Sequence, residues 1–117
     1  MTTTVNVLSN SVVVVDVSTS TYILLVPPTG GTSGTVSLNG ANCSDGQIVT
    51  VATEVAKLAS PLNKINAIIN TGPYSPATVR FGQSADDNQV VTLMCDQTGA
   101  ILGNSSPAFY ATSYVKP

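Results

Sequence analysis

Short β-branched runs broken by turn residues set the pattern of this chain. Val5-Asn6-Val7-Leu8 alternates, Ser9-Asn10-Ser11 offers a turn, and Val12 to Val17 returns as a run with apolar residues on both faces, interrupted only by Asp16. Tyr22-Ile23-Leu24-Leu25-Val26 is a second such run. Runs of this kind predict strands covered on both sides. Pro27 to Gly34 breaks the pattern and predicts an exposed loop, because proline cannot donate to a ladder and glycine punctuates. Thr35-Val36-Ser37-Leu38 then alternates up to Asn39-Gly40, a strong turn dipeptide.

Asp45-Gly46-Gln47-Ile48-Val49-Thr50-Val51 reads as a tight turn feeding a strand, with Gly46 free to take a positive φ. Asp87-Asn88-Gln89-Val90-Val91-Thr92-Leu93 repeats it 42 positions later, with Asn, which tolerates the left-handed region, in place of Gly. We read the two as equivalent turn-strand corners of one β-domain; the competing reading is coincidence in a chain rich in Val and Thr. Two copies are too few for a solenoid. The equivalence places Val49, Val51, Val91 and Leu93 in the core.

Between the corners, Glu54 to Ala59 could start a helix, with Val55, Leu58 and Leu62 at helical spacing, but Pro61 cuts it after barely two turns. Strand or irregular structure is favoured up to Ser60, with any helix confined to Thr53–Ser60. Lys64 to Ile69, Ala77 to Phe81, a strand ending near Met94 or Cys95, a short Ala100-Ile101-Leu102 segment and Phe109 to Val115 complete the series. Eight or nine short strands predict an all-β fold: a single-domain β-sandwich or barrel-like (jelly-roll-like) domain over residues 1–117.

A chain of 117 residues can bury a core without staples. Charged residues are only 9%, replaced by Thr, Ser, Asn and Gly. Four cations against six carboxylates cannot neutralise a run of phosphates, so nucleic acid is not an expected partner. No apolar run reaches the length of a membrane span and the first ten residues carry no cation, so the expectation is a protein made and kept inside the cell that translates it. A Cys43–Cys95 bridge is geometrically conceivable; buried thiols are favoured for a reducing compartment.

The chain has no His, which excludes a Ser-His-Asp triad and any imidazole metal site. Asp86-Asp87 is the one adjacent carboxylate pair and reads as a solvated turn. Gly30-Gly31-Thr32-Ser33-Gly34 lacks the Lys of a phosphate-binding loop. Tyr74, Phe109, Tyr110 and Tyr114 could form a sugar platform, but core or interface positions are favoured for them. The reading is therefore no enzyme, no cofactor and no metal. Apolar residues on both strand faces with so few surface charges instead predict a subunit covered by copies of itself or by a larger lattice.

The order of a Tyr-led apolar strand, a Pro/Gly loop, Asn42-Cys43-Ser44-Asp45-Gly46-Gln47-Ile48-Val49-Thr50-Val51, then Val90-Val91-Thr92-Leu93-Met94-Cys95-Asp96-Gln97-Thr98-Gly99 and an aromatic strand at Phe109-Tyr110 resembles small β-rich virion proteins of tailed bacteriophages. Those are head decoration (cement) proteins and trimeric tail-fibre domains. The chain departs from the fibre domains in lacking a Trp near Phe109-Tyr110 and in its longer Thr53 to Asn70 segment. The resemblance implies a homotrimeric structural protein of the virion, made in the host cytoplasm, that stabilises the head by bridging copies of the major capsid protein. A tail-fibre or receptor- and carbohydrate-binding domain is the alternative, with Tyr74 and Tyr110 as the candidate ligand platform. Met1 to Leu8 is read either as an extended arm whose Val5, Val7 and Leu8 contact the lattice or as the first strand of the domain.

Overall fold

The computed structural model describes residues 2–7, 10–16, 21–28, 33–39, 43–53, 64–69, 77–83, 86–98 and 108–116. Nine strands account for most of them: β1 (Thr2–Asn6), β2 (Val12–Asp16), β3 (Tyr22–Val26), β4 (Ser33–Asn39), β5 (Ile48–Thr53), β6 (Lys64–Ile69), β7 (Ala77–Phe81), β8 (Val90–Asp96) and β9 (Ala108–Val115). They form a five-stranded sheet, ordered β1-β3-β5-β8-β9, and a four-stranded sheet, ordered β2-β4-β6-β7. The fold is all-β, with no helix among the described residues.

From β1 to β6 the chain alternates between the sheets, so each strand lies beside the one two before it and runs parallel to it. Parallel neighbours need a crossover, and here a strand of the opposite sheet serves as one. Only the last part of the chain pairs antiparallel: β7 on β6, β8 on β5 and β9 on β8. This departs from the antiparallel Greek keys of a jelly roll. Alternation shows which face a residue takes but carries no information on strand direction.

The core lies between the sheets. Ile23, Leu25, Val49, Val51, Val91, Leu93 and Phe109 face inward from one, and Val36, Leu38, Ile65, Ala67, Val79 and Phe81 from the other. Each fully buried large side chain contributes roughly 1.5–3 kcal/mol. All four positions placed in the core by the corner argument are at most 1% exposed.

Several boundaries and environments differ from the sequence reading. β1 starts at Thr2 rather than Val5, and the Val7 amide extends its ladder by donating to Val26 at 2.9 Å. β4 begins at Ser33, with Gly34 paired to Ile65 and buried, and it runs on to Asn39. Pro27 and Pro28 are buried, not exposed. The outer face of β2 is open rather than covered among the described residues: Val12 is 64% and Val14 68% exposed. Asn10, in the expected turn, takes a φ of 55°. The helix candidate from Glu54 onward and the Ala100–Leu102 segment lie outside the described residues.

Candidate functional site

The two Asp-led corners fold into different environments. At the first, Gly46 has a φ of 79° and the Asp45 carboxylate is exposed. It accepts hydrogen bonds from the Thr98 amide at 3.0 Å and from the Thr98 hydroxyl. These bonds, the Thr98 hydroxyl foremost, hold the Asp45 carboxyl below its ordinary value of 3.8. The Gly46 amide donates to the Cys95 carbonyl and the Cys95 amide to the Gln47 carbonyl, both at 2.9 Å. Beside them Cys43 and Cys95 form a disulfide with their Cα atoms 6.3 Å apart, correcting the preference for buried thiols. The bridge forms because antiparallel β5 and β8 bring the entry of one strand beside the exit of the other.

At the second corner Asp87 is fully buried, not the solvated turn its sequence suggests. Arg80 Nε donates to its Oδ1 at 2.5 Å and Lys64 Nζ lies 3.4 Å from its Oδ2. A carboxylate out of water needs such partners, since an unpaired buried charge costs several kcal/mol. Gly82 makes the burial feasible, because a Cβ there would collide with the Asp87 carboxylate. Asn88 does not take the positive φ expected of it. It forms a bridge with Phe81, and both its amide (2.8 Å) and its side-chain Nδ2 (3.1 Å) donate to the Arg80 carbonyl. The Asn88 Oδ1 is buried without a partner.

Above this cluster opens a cleft of about 360 Å³, lined by Asn66 of β6, Thr78, Val79 and Arg80 of β7, Asp86 and Asn88 of the second corner, and Tyr114 of β9. Asn66 and Arg80 are paired across β6 and β7, which puts their side chains side by side on the sheet. The lining offers a guanidinium, two carboxamides, a hydroxyl, a carboxylate and a phenol, a set suited to holding a polar ligand. Asp87 itself is engaged by two cations and so is not poised as a base. Among the described residues no three metal-ligating side chains gather.

The residues singled out from the sequence fall elsewhere. Val5 and Val7 are 8% and 3% exposed and pack in the core; residues 2–6 form the first strand, paired to β3. Tyr110 lies in β9 opposite Met94. Leu8 and Tyr74 lie outside the described residues. Tyr114, one of the four aromatics considered as a sugar platform, lines the cleft, but nothing in the sequence reading connected it with Lys64, Arg80, Asp87 or Asn88. The available signal was the scarcity of charge: Lys64 and Arg80 are two of only four cations, and both fall on predicted strands.

Comparison with known proteins found no family model that matches the chain, no similar curated protein and no similar solved structure.

Proposed function

We propose that this chain is a non-enzymatic structural protein of a bacteriophage virion, a head decoration or cement subunit that bridges capsid subunits as a homo-oligomer. The observation that carries the reading is the outward face of β2, where Val12 and Val14 stand 64% and 68% exposed on an edge strand of a charge-poor protein. An edge strand with a bare apolar face invites pairing and is normally covered. β1 is likewise an edge, so its main chain can add to another sheet although Val5 and Val7 point into the core. The trimeric state and the capsid partner rest on the sequence resemblance.

A subunit of this kind needs no chemistry. It binds the assembled lattice in preference to free capsid protein, and at a concentration 100 times its Kd that preference stabilises the shell by about 2.7 kcal/mol per site. The Cys43–Cys95 disulfide suits a virion surface, which meets oxidising surroundings.

Sedimentation of the purified protein, alone and with capsids, tests the proposal. An oligomer that co-sediments with capsids and raises their heat resistance is expected, with Val12→Lys/Val14→Lys losing both properties while keeping its fold. A monomer at micromolar concentration, or capsids equally heat-resistant with and without the protein, overturns it.

A further inference from the structure

We infer that the cleft between β7, β9 and the Asp86–Asn88 corner is a binding site for a neutral sugar. The inference is independent of the capsid reading, which requires no ligand: Asn66, Thr78 and Arg80 share the outer face of the four-stranded sheet with Val12 and Val14, but the cleft opens at its β7 edge and the two valines stand on the β2 edge.

Three observations carry it. First, the lining is predominantly polar, with Val79 and Tyr114 as its apolar surfaces. An apolar ligand would strip water from Asn66, Thr78, Arg80 and Asn88 with nothing in return, whereas hydroxyl groups can both donate to and accept from these side chains. Second, the cations are engaged. Arg80 and Lys64 meet on the buried Asp87, and Lys116 at the rim donates to the Asp86 carbonyl at 3.4 Å, so each of the three already has a partner other than a ligand phosphate or carboxylate. Third, Asn88 is 6% exposed and its Oδ1 lacks a partner, while its Nδ2 is tied to the Arg80 carbonyl, which fixes the amide's orientation. A buried acceptor without a donor is a standing cost, and a ligand hydroxyl relieves it once side-chain motion at the cleft uncovers the Oδ1, which is closed to solvent.

Tyr114 supplies the remaining element. It is 52% exposed beside these polar groups. The face of an aromatic ring is electron-rich and attracts the polarised C–H face of a pyranose. Closing on a ligand requires only side-chain motion of Tyr114 and of Arg80, whose side chain is 46% exposed.

Amide-detected NMR titration of the full chain with glucose, galactose, mannose and N-acetylglucosamine tests this, with glucuronate and inorganic phosphate as anionic probes and glycerol as a small polyol control. At least one neutral sugar is expected to give saturable shifts at the Asn66 and Asn88 side-chain amides, with Kd about 1 mM or weaker. Tyr114→Ala, at an exposed position, is expected to keep the dispersed spectrum and weaken binding at least tenfold. Absence of saturable shifts with every neutral sugar at about 100 mM overturns the inference. So does a tighter response to glucuronate or phosphate, an equal response to glycerol, or binding unaffected by Tyr114→Ala.

Discussion

Thr50 stands directly opposite Thr92 in the antiparallel β5–β8 pair, and the same 42 positions that separate the two corner motifs separate these two residues. The repeat is therefore folded onto itself about a local twofold at the Thr50–Thr92 pair, which sets Val49 against Leu93 and Val51 against Val91. The repeated strands are partners in one ladder, and their shared pattern makes both inner faces apolar at matching positions. The corners that lead into them have diverged. Asp45 is open to solvent and Asp87 is sealed beneath the cleft.

The twofold places a steep energetic contrast within a few residues. Leu93→Ala is expected to lower stability by about 3 kcal/mol, and Val49→Asp to abolish folding, since its charge would enter a site with 0% exposure. Val14→Asp, outward on β2, is expected to change stability by less than about 0.5 kcal/mol. Urea unfolding of the three variants measures the contrast, and similar midpoints for Leu93→Ala and Val14→Asp would contradict the described core.

The Cys43–Cys95 disulfide closes a loop across a sequence separation of 52. The chain-entropy relation gives about 4 kcal/mol for a loop of that length. Cys43→Ser/Cys95→Ser is accordingly expected to lower Tm by roughly 15 °C, reproduced by reducing the native protein. Equal Tm values with and without reductant would mean that the bridge does not constrain the unfolded chain.

The strands and the inward-facing residues were legible because alternation and turn chemistry are local: Val49, Val51, Val91 and Leu93 follow from the pattern alone. Strand direction was not, since a parallel neighbour such as β3 beside β1 is chosen by where the intervening strand docks. Nor was the burial of Asp87, which depends on Lys64 and Arg80 arriving from two other strands and on the bare backbone of Gly82. The cleft is assembled from four separate stretches of chain, and no stretch carries its signature alone. Of the two readings of Met1 to Leu8, the first strand is the one whose burial at Val5 and Val7 is seen, and alternation alone does not reveal which face meets the core.

Gly82 and Asp87 form a pair whose coupling can be measured. Gly82→Ala is expected to destabilise by about 2 kcal/mol through overpacking against the carboxylate, and by much less when Asp87 is also Gly. Arg80→Ala is expected to cost about 3 kcal/mol, because it removes one of the two cations paired with a fully buried carboxylate. Additive effects of Gly82→Ala and Asp87→Gly in a double-mutant cycle would show that the two do not touch.

Asp45 gives the first corner an acid-sensitive lock. Its carboxylate is stabilised in the folded state by the Thr98 hydroxyl and amide, so its folded pKa lies below the unfolded value of about 3.9. A depressed pKa means that folding favours the ionised form. The Asp45–Thr98 contribution is thus fully present above the unfolded pKa and is lost as pH falls through the folded one. Because Asp45 is fully exposed, the contribution is screened by salt and will be largest at low ionic strength. Carbon-detected NMR titration of Asp45 is expected to give a midpoint below 3.8 in the native protein and a higher one in Thr98→Val, which loses the hydroxyl but keeps the amide. Asp45→Asn is expected to flatten the fall in stability over the same acid range. A Thr98→Val protein in which Asp45 titrates as before would show that the hydroxyl does not hold the carboxylate, leaving the Thr98 amide to do so beside the disulfide and the backbone bonds at Gly46 and Cys95.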